Sequence, residues 1–432
     1  MKALIVGSGG REHAIGWKLE QSNLITSFLV WSKSPILLQL GKDIGLPQTA
    51  SYAEVVKAAK QHSVDFVVVG PEGPLADGFA DVCCEFGLPC FGPTKSAALL
   101  EASKSFAKEI MLEAKIPTSK YIEASSEEEC RKVALEMLEA TGGTVLKASG
   151  LAGGKGVFVC RSEQDVNSGI ERLFGESMRS ASEKLVVEEI LEGRECSFFT
   201  FIGDKGAVPV GFAVDFKRLK DGDIGPNTGG MGCYTPVQWL PENASETVME
   251  TIVEPLLKGL NRRGVPYTGC LYVGIMWGSE GPKVVEFNVR LGDPEAQVLA
   301  MQDNRDWGEL IAGVLGLAPV KKWGSLSRVG SSVCVVMASE GYPYGGVKEK
   351  SPVLPADIFK VGPAACTAFG ASVVKNGGDL CVGSGRVLSI AAKGASFSEA
   401  RGRAYEQVSA LAHHWPGVQY RKDIAQKAMS EE

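Results

Sequence analysis

The chain has 432 residues, 44% of them apolar and 22% charged, which is enough for two to four domains without a disulfide or metal to stabilise them. Its 45 Lys and Arg against 51 Asp and Glu give a net charge of -6, a mildly acidic balance that shows no electrostatic footprint for duplex nucleic acid or an anionic membrane. The eleven cysteines include no C-x-x-C spacing, and no apolar stretch has the length of a membrane span. We therefore expect reduced thiols and a cytoplasmic location.

The first hundred residues alternate between apolar strand patterns and helical patterns. The predicted strands are Lys2–Val6, Phe28–Trp31, Asp65–Val69 and Leu88–Phe91, and the predicted helices are Arg11–Gln21 and Tyr52–Gln61. Continuous β-branched runs separated by helices predict a parallel sheet covered on both faces. Ligands of such sheets bind at the carboxyl ends of the strands, where two glycine-containing segments occur, at positions 7–10 and 70–73.

The rest of the chain divides into four stretches. Residues 96–114 are predicted to form one connecting helix. Residues 121–190 are predicted to form, in order, a strand, a helix, a strand, a glycine-rich loop, a strand, a helix and a strand. Antiparallel strands are predicted at 198–202, 208–214, 272–276 and 283–288. A polar break at 321–328 precedes a strand-rich tail from Ser332, which ends in a helix at 396–412.

The loop Gly7–His13 follows a strand and opens a helix, a position where backbone amides and the helix dipole favour an anion. It is not a dinucleotide fingerprint, because Glu12 occupies the third glycine position and the second strand ends in Trp31 without an acid behind it. Phosphate binding and simple turn geometry both remain open for this loop. His13 is placed where it could touch a phosphate.

The loop Gly150–Gly156 carries a more specific pattern, four glycines and Lys155 between two predicted strands. Its amides and the lysine could close over a phosphate chain, and the alternative is a flexible hairpin. Thirty residues later, the acids of Leu185–Glu195 follow a strand and could meet an adenine and a ribose, or could form a solvated turn.

The strand Val284–Arg290 predicts a metal site. Its period-two alternation places Glu286, Asn288 and Arg290 on one face, and Val285, Phe287 and Val289 on the other. Carboxylate and amide oxygens suit Mg²⁺ bound together with substrate phosphates. A surface strand with outward polar residues is the alternative.

Motifs spread over nearly the whole chain resemble the phosphoribosylamine–glycine ligase (glycinamide ribonucleotide synthetase) family of the ATP-grasp superfamily. They are GSGGREHA, SKSFAK, KASGLAGGKGV, VVEEILEGRECS, DGDIGPNTGGMG, VEFNVRLGDPE, ASEGYP and GRVL. The resemblance implies an α/β and α+β multidomain fold: an N-terminal parallel-sheet preATP-grasp domain (1–103), a two-lobed ATP-grasp module (104–327, with a small mobile lobe at about 121–190) and a small strand-rich C-terminal domain (328–432). It also implies ligation of glycine to 5-phosphoribosylamine with ATP, through a glycyl phosphate, in purine (IMP) biosynthesis. Mg²⁺ or Mn²⁺ is the expected cofactor, and the protein would be a monomer or small homo-oligomer.

Residue roles follow from the same resemblance. The implied ATP contacts are Lys104, Lys147, Gly153, Gly154, Lys155, Gly156, Glu188, Glu189 and Glu195, and the implied metal ligands are Glu286 and Asn288. The implied substrate contacts are Gly9, Gly10, Arg11, Pro71, Glu72, Asn227, Thr228, Asp293, Pro294 and Glu295. Lys155, Arg290 and Asp215 are assigned catalytic roles.

Three positions depart from the family pattern. Trp31-Ser32-Lys33-Ser34-Pro35 replaces a Pro-Gly-Asn motif, Phe216 replaces a histidine, and Ser384 interrupts a Gly-Gly pair before Arg386. Two other functions remain open at this point: another ATP-grasp carboxylate–amine ligase, and an ATP-binding module without catalysis.

Overall fold

The computed structural model describes residues 1–151, 156–175, 184–319, 330–345, 352–359 and 365–431. The predicted loop residues Gly153, Gly154 and Lys155 and the predicted break at 321–328 lie outside these ranges. Within them, no helix is both long enough and apolar enough to cross a bilayer.

The N-terminal third is built around a parallel sheet of five strands in the order β3-β2-β1-β4-β5. Its strands are β1 (Lys2–Val6), β2 (Ser27–Trp31), β3 (Lys42–Asp43), β4 (Phe66–Val69) and β5 (Cys90–Phe91). Its helices are α1 (Gly10–Glu20), α2 (Leu37–Leu40), α3 (Tyr52–Gln61), α4 (Glu72–Asp77), α5 (Phe79–Glu85), α6 (Lys95–Ala102) and α7 (Lys104–Glu113). Because β1 pairs in parallel with both β2 and β4, the loops after these strands meet at one edge.

The predicted single helix at 96–114 is wrong, because the chain is extended at Ser103 and divides it into α6 and α7. The Ser103 hydroxyl accepts a hydrogen bond from the Phe106 amide and so caps α7. The Lys104 amide donates to the Ser149 carbonyl at 2.9 Å. The break therefore fixes the start of α7 against the strand that precedes the glycine-rich loop.

Residues 121–189 form a small lobe with an antiparallel sheet in the order β6-β9-β7-β8. Its elements are β6 (Tyr121–Ala124), α8 (Glu127–Thr141), β7 (Thr144–Ala148), β8 (Val157–Cys160), α9 (Glu163–Phe174) and β9 (Leu185–Glu189). Their order agrees with the predicted one. A separate apolar core, with Leu146, Ile170 and Leu185 at its centre, holds the two helices on one face of this sheet.

The remaining chain is organised by an antiparallel sheet of eight strands, β16-β15-β10-β11-β14-β17-β21-β18. The elements up to residue 314 are β10 (Arg194–Gly203), β11 (Gly206–Asp215), β12 (Arg218–Lys220), β13 (Ile224–Asn227), β14 (Gly232–Thr235), α10 (Ala244–Val248), a π-helical turn (Met249–Val253), α11 (Glu254–Arg262), β15 (Gly269–Gly278), β16 (Gly281–Asn288), α12 (Glu295–Gln302) and α13 (Trp307–Val314). Those after it are β17 (Ser331–Ala338), β18 (Cys366–Gly370), β19 (Val373–Asn376), β20 (Asp379–Val382), β21 (Arg386–Gly394), α14 (Phe397–His413) and α15 (Gln426–Met429). Since β14 pairs with β17, one sheet runs without interruption into the C-terminal third.

Candidate active site

A cleft of about 440 Å³ lies where the N-terminal sheet, the small lobe, β16 and the start of β21 meet. The predicted site residues that line it are Arg11, Glu72, Lys104, Gly156, Glu188, Asp215, Thr228, Glu286, Asn288, Arg290, Asp293 and Glu295. Four further charged residues line it that the sequence did not single out for a role: Glu101, Lys108, Lys217 and Arg386. Gly9, Gly10, Pro71, Lys147, Glu189, Glu195, Asn227 and Pro294 are not among its lining residues.

At the small-lobe end, one buried carboxylate is shared by two lysines. Glu188 lies 2.7 Å from the ammonium of Lys147 and 3.1 Å from that of Lys108. The Ser119 hydroxyl also donates to it, at 2.9 Å. Burial alone would raise the pKa of Glu188, but Lys147 and Lys108 hold it below its usual value. The two cations exceed the one anion, so the cluster carries a net positive charge. The solvated turn that the sequence allowed at this acid is wrong, because Glu188 is buried.

Lys104 adds a third ammonium to this end of the cleft. Burial lowers the pKa of Lys104, and the negative charge of the Glu286 carboxylate partly offsets that decrease. Among the described residues, the side chain of Lys104 makes no hydrogen bond or ion pair. Lys147 in turn donates a hydrogen bond of 3.1 Å to the Val285 carbonyl, which ties β7 to β16. Three lysines therefore converge beside the strand that was predicted to bind a metal.

The predicted metal pair lies on one face of β16, as its alternation indicated. The side-chain nitrogen Nδ2 of Asn288 is 3.5 Å from a Glu286 carboxylate oxygen, and Arg290 donates to the side-chain oxygen Oδ1 of Asn288 at 3.3 Å. The alternation that put Val285 on the opposite face is interrupted at that residue: a bulge in the pairing with β15 leaves Val285 partly exposed and lining the cleft. The irregularity also frees the Val285 carbonyl for Lys147.

The side chains of this pair fit a hard divalent cation. A carboxylate and an amide oxygen are ligands that Mg²⁺ accepts, with phosphates and water completing its coordination. Although burial raises the pKa of Glu286, the lysines 104, 217 and 147 keep it below its usual value, so the carboxylate is ionised at neutral pH. Asn288 here presents its nitrogen to Glu286, so a cation held by both side chains requires the amide to present its oxygen instead. Among the described residues, no group of three or more His, Cys, Asp and Glu side chains could hold a metal ion.

Arg290 is held by two carboxylates. Its Nε is 3.1 Å from Glu72, and its Nη2 is 2.7 Å from Glu101, a residue of α6 that no sequence motif indicated. The other Glu101 oxygen accepts the Val289 amide at 2.8 Å, so this acid fixes both the side chain and the backbone of the strand end. Burial raises the pKa of Glu101, and Arg290 opposes that effect.

Acids also gather around Lys217, another residue that lines the cleft. Its ammonium contacts Glu195 directly and lies 3.6 Å from Asp215. Burial, reinforced by the charge of Asp215, raises the pKa of the nearby Glu295 to about 7. Burial also raises the pKa of Asp215 itself, although Lys217 counteracts it. Asp215, Glu295 and Lys217 line the cleft, whereas Glu195 contacts Lys217 from outside it.

The glycine loop after β1 is closed by its own glutamate rather than left open. Glu12 accepts hydrogen bonds from the Gly9 amide and, at 2.6 Å, from Arg11 Nε. A Cβ at Gly70, in the loop after β4, would lie 2.0 Å from the same carboxylate. Position 70 therefore also requires glycine. Arg11 consequently reaches the cleft with its guanidinium orientation fixed by Glu12.

The expectation that His13 touches a phosphate is wrong. Its Nδ1 accepts a hydrogen bond of 2.9 Å from the Gly370 amide, and its ring packs edge-on against Phe369. Burial lowers its pKa to about 3, so the imidazole is neutral. This histidine joins α1 to β18 and does not reach the cleft.

Two of the departures from the family pattern have a local structural explanation. The Phe216 ring lies 4.7 Å from the guanidinium of Arg421, which is buried between Asp223 and Asp423. Ser32 bonds to the Ser8 hydroxyl at 3.1 Å, so serines close the turn between the loops after β1 and β2. Ser384 is exposed on the turn before β21 and makes no contact that explains it.

Comparison with known proteins gives consistent results along the chain. Residues 1–101 match the N domain of phosphoribosylglycinamide synthetase, residues 102–296 its ATP-grasp (A) domain, and residues 332–427 its C domain. A phosphoribosylamine–glycine ligase of Rhizobium meliloti is 38% identical over 435 residues, covering 100% of both chains.

Solved structures agree with these matches. A crystal structure of phosphoribosylamine–glycine ligase from Thermotoga maritima covers 98% of this chain and 100% of its own, with a TM-score of 0.81 and 30% identity. The biotin carboxylase domain of Hydrogenobacter thermophilus 2-oxoglutarate carboxylase, crystallised with MgADP and bicarbonate, covers 97% of this chain and 91% of its own at a TM-score of 0.71. At 18% identity, it shares the fold alone. The predicted fold class and family are therefore confirmed: the chain belongs to the phosphoribosylglycinamide synthetase family, whose central domain is an ATP-grasp domain.

Proposed function

We propose that the protein uses ATP to ligate glycine to 5-phosphoribosylamine, giving glycinamide ribonucleotide, ADP and phosphate as a step of purine biosynthesis. The observation that carries the proposal is the set of charges in the cleft. Lys104, Lys108 and Lys147 adjoin the Glu286–Asn288 pair, acids gather around Lys217, and Arg11 and Arg290 also line the cleft. A triphosphate, an ammonium and a sugar phosphate would each meet complementary charge there.

The nucleotide would occupy the small-lobe end. Lys104 and Lys147 would contact its phosphates, covered by Gly153, Gly154, Lys155 and Gly156. Glu189 and Glu195 would face adenine and ribose. For Glu188 the contacts favour a different role from that implied by the resemblance: its carboxylate is occupied by Lys147 and Lys108, so it would orient the lysines instead of meeting the base.

Glu286 and Asn288 would hold Mg²⁺ or Mn²⁺, which supplies the positive charge that brings a triphosphate and a carboxylate together. Two unit charges of like sign at 4 Å repel by about 4 kcal/mol at an effective dielectric constant of 20. Lys104, Lys147 and Lys155 would reduce the same repulsion from the protein side, and Arg290 would do so from its position beside Asn288.

The two acceptor substrates would occupy the rest of the cleft. Asp215 and Glu295 offer carboxylates to the glycine ammonium, beside Asn227, Thr228, Asp293 and Pro294. Gly9, Gly10, Arg11, Pro71 and Glu72 would lie toward the phosphoribosyl group, where arginines can meet its phosphate.

The chemistry then proceeds in two displacements. A glycine carboxylate oxygen attacks the γ-phosphorus of ATP and releases ADP, which leaves glycyl phosphate. The amine of phosphoribosylamine next attacks the acyl carbon and expels phosphate, and Asp215 would accept the proton that the nitrogen loses. Lys155 and Arg290 would stabilise the charge that develops on the phosphoryl and carboxyl oxygens.

Product identification tests the proposal. The full chain is mixed with ATP, Mg²⁺, glycine, ribose 5-phosphate and ammonia, which form the amine in situ, and the products are measured by mass spectrometry. We expect ADP release that depends on glycine, together with glycinamide ribonucleotide. ADP release that depends on formate instead of glycine would identify a different carboxylate–amine ligase. Nucleotide binding without turnover would identify a binding module.

The cellular setting belongs to the same proposal. All eleven cysteines are free thiols, and ten of them are at least partly buried. This supports a reducing, cytoplasmic location, and the net charge of -6 favours partners other than nucleic acid or an anionic membrane. We propose a monomer or small homo-oligomer.

A further inference from the structure

Two motifs of the C-terminal third, ASEGYP (residues 338–343) and GRVL (385–388), have no role in the proposed chemistry. In the structure both lie against the loop 227–232, two of whose residues, Thr228 and Gly229, line the cleft. The loop comes from the central part of the chain, so these contacts join regions far apart in sequence.

Arg386 makes the larger set of contacts. Its Nη1 donates to the carbonyls of Gly229, Gly230 and Asp293, and its Nη2 lies 3.4 Å from the Asp293 carboxylate. A guanidinium offers several donors in a rigid plane, which lets one side chain serve carbonyls from two segments. Arg386 thus joins the loop 227–232 to the turn that carries Asp293.

Tyr342 holds the same loop from the other side. Its hydroxyl oxygen accepts a hydrogen bond of 3.0 Å from the Gly229 amide. The tyrosine is itself held in place, because Gln419 donates to the carbonyls of Ser339 at 2.8 Å and Tyr342 at 3.2 Å. The two polar backbone groups of Gly229 are therefore both bound by side chains of the C-terminal third.

The loop is also held on either side of Gly229, where the amides of Thr228 and Met231 donate to the carbonyls of Lys217 and Phe216, each at 2.8 Å. Its apolar support is a small cluster in which Leu219, Met231 and Ala338 are the buried members and Tyr342 packs alongside. Gly230 has a φ of +109°, and a Cβ there would lie 2.7 Å from Pro294 Cδ, so the loop and the Asp293 turn fit closely together. Small shifts of the loop would consequently move the groups at the acceptor end of the cleft.

We propose that Tyr342 and Arg386 are positioning residues that hold the loop 227–232 and the Asp293 turn in the shape that binds the acceptor substrates. This rests on the proposed function for the identity of those substrates. The nucleotide end is formed by different elements, α7, β7, β9 and β16, so binding of ATP does not depend on these two side chains.

Steady-state kinetics of Y342F and R386K test the proposal. Y342F removes the acceptor of the Gly229 amide, and we expect its KM for glycine or phosphoribosylamine to rise roughly 3- to 10-fold, as for one lost hydrogen bond. R386K keeps the charge but cannot bind three carbonyls, and we expect kcat/KM for the acceptors to fall roughly 10- to 100-fold. The KM for ATP should stay within about twofold in both. In the double variant the effects should be less than additive, because both act through one loop.

Matched controls lie in the same region. Tyr344 is 78% exposed on the same turn, and Arg403 pairs with Glu399 on α14, so Y344F and R403K should behave as the wild type. Hydrogen–deuterium exchange supplies a second readout: peptides covering 227–232 should exchange faster in Y342F and R386K while the rest of the chain is unchanged.

The outcomes separate the two proposals. Acceptor KM values equal to those of the controls, an equal rise in the KM for ATP, or faster loop exchange without a change in acceptor KM would each overturn the positioning role. A wild-type protein that makes no glycinamide ribonucleotide would overturn the proposed function first. In that case, unchanged hydrogen–deuterium exchange of residues 227–232 in both variants would refute the positioning role as well. Faster exchange would support the statement that Tyr342 and Arg386 hold the loop in its shape.

Discussion

Two buried ion clusters flank the same cleft, and they differ in how their charges balance. Around Glu188, two lysine ammonium groups share one carboxylate, and a third lysine, Lys104, lies close by without a partner among the described residues. Around Arg290, two carboxylates surround one guanidinium, and Arg11 lies 3.9 Å from Glu72. The first cluster is left with positive charge for a ligand, whereas the second largely satisfies itself and fixes the end of β16. Net charge thus separates a cluster with positive charge left over for a ligand from one in which Glu101 positions Arg290.

The largest effect is expected for Glu286→Gln, which removes the charged member of the metal pair. We expect kcat to fall roughly 100- to 1,000-fold, the loss seen when one stabilising electrostatic group is removed. The melting temperature should change little, because a glutamine keeps the size and polarity of the side chain. Glu280→Gln, an exposed acid that pairs with Lys283 on the same hairpin, is the control for steady-state kinetics and thermal unfolding. Parallel losses of fold and activity would argue against a metal role.

Lys147→Met probes the cation-rich cluster. Because Glu188 keeps Lys108 as a partner, we expect the fold to survive while the KM for ATP rises roughly 10-fold, as for one lost charged hydrogen bond. The KM for glycine should stay near its wild-type value. Titration of ADP by calorimetry measures the nucleotide effect directly, and unchanged ADP affinity would remove Lys147 from the nucleotide site.

Glu101→Gln probes the balanced cluster, and here the order of effects should be reversed. Removing one partner of a buried charge lowers the free energy of unfolding by about 3 kcal/mol, with Glu72 remaining to pair Arg290. ADP affinity should be unchanged. Urea unfolding monitored by circular dichroism measures the free energy of unfolding. A variant as stable as the wild type with weakened ADP binding would show that the two clusters do not divide the work as described.

The smallest effect concerns pH. Glu295 has a pKa of about 7 in the fold, raised by burial and by Asp215 from an ordinary value of 4.5. The folded state therefore holds a proton between these values that the unfolded chain releases, so stability falls as pH rises from about 5 to 7. We expect Glu295→Gln to reduce this decline by roughly 2 kcal/mol or less, measured in metal-free buffer. Identical pH profiles for the variant and the wild type would contradict the raised pKa.

Local sequence patterns predicted the helices and strands well wherever the residues that set the ends of an element belong to that element or flank it. The helix Tyr52–Gln61 has the predicted bounds, because Ser51 and Glu54 cap each other's backbone amides at its start. The face of β16 with Glu286 and Asn288 followed from strand alternation. The same alternation placed Val285 wrongly, since a bulge depends on how the neighbouring strand pairs.

Site residues whose contacts are with residues far away in the sequence could not be predicted. Glu101 is 188 positions from the Val289 amide that it binds, and Arg386 is 157 from Gly229, so no local spacing connects them. Lys108 is a different case: it lies four residues after Lys104 on α7, and helical spacing within SKSFAK could have indicated it. His13 was misplaced because its partner, the Gly370 amide, comes from the far end of the chain.

A crystal structure with Mn²⁺ and ADP, analysed by anomalous scattering from the manganese, would locate the metal and the nucleotide in one experiment. We expect an anomalous peak within bonding distance of the Glu286 carboxylate and the Asn288 amide oxygen, with the nucleotide phosphates beside Lys104 and Lys147. A manganese bound away from these two side chains, or a nucleotide outside this cleft, would contradict this expectation.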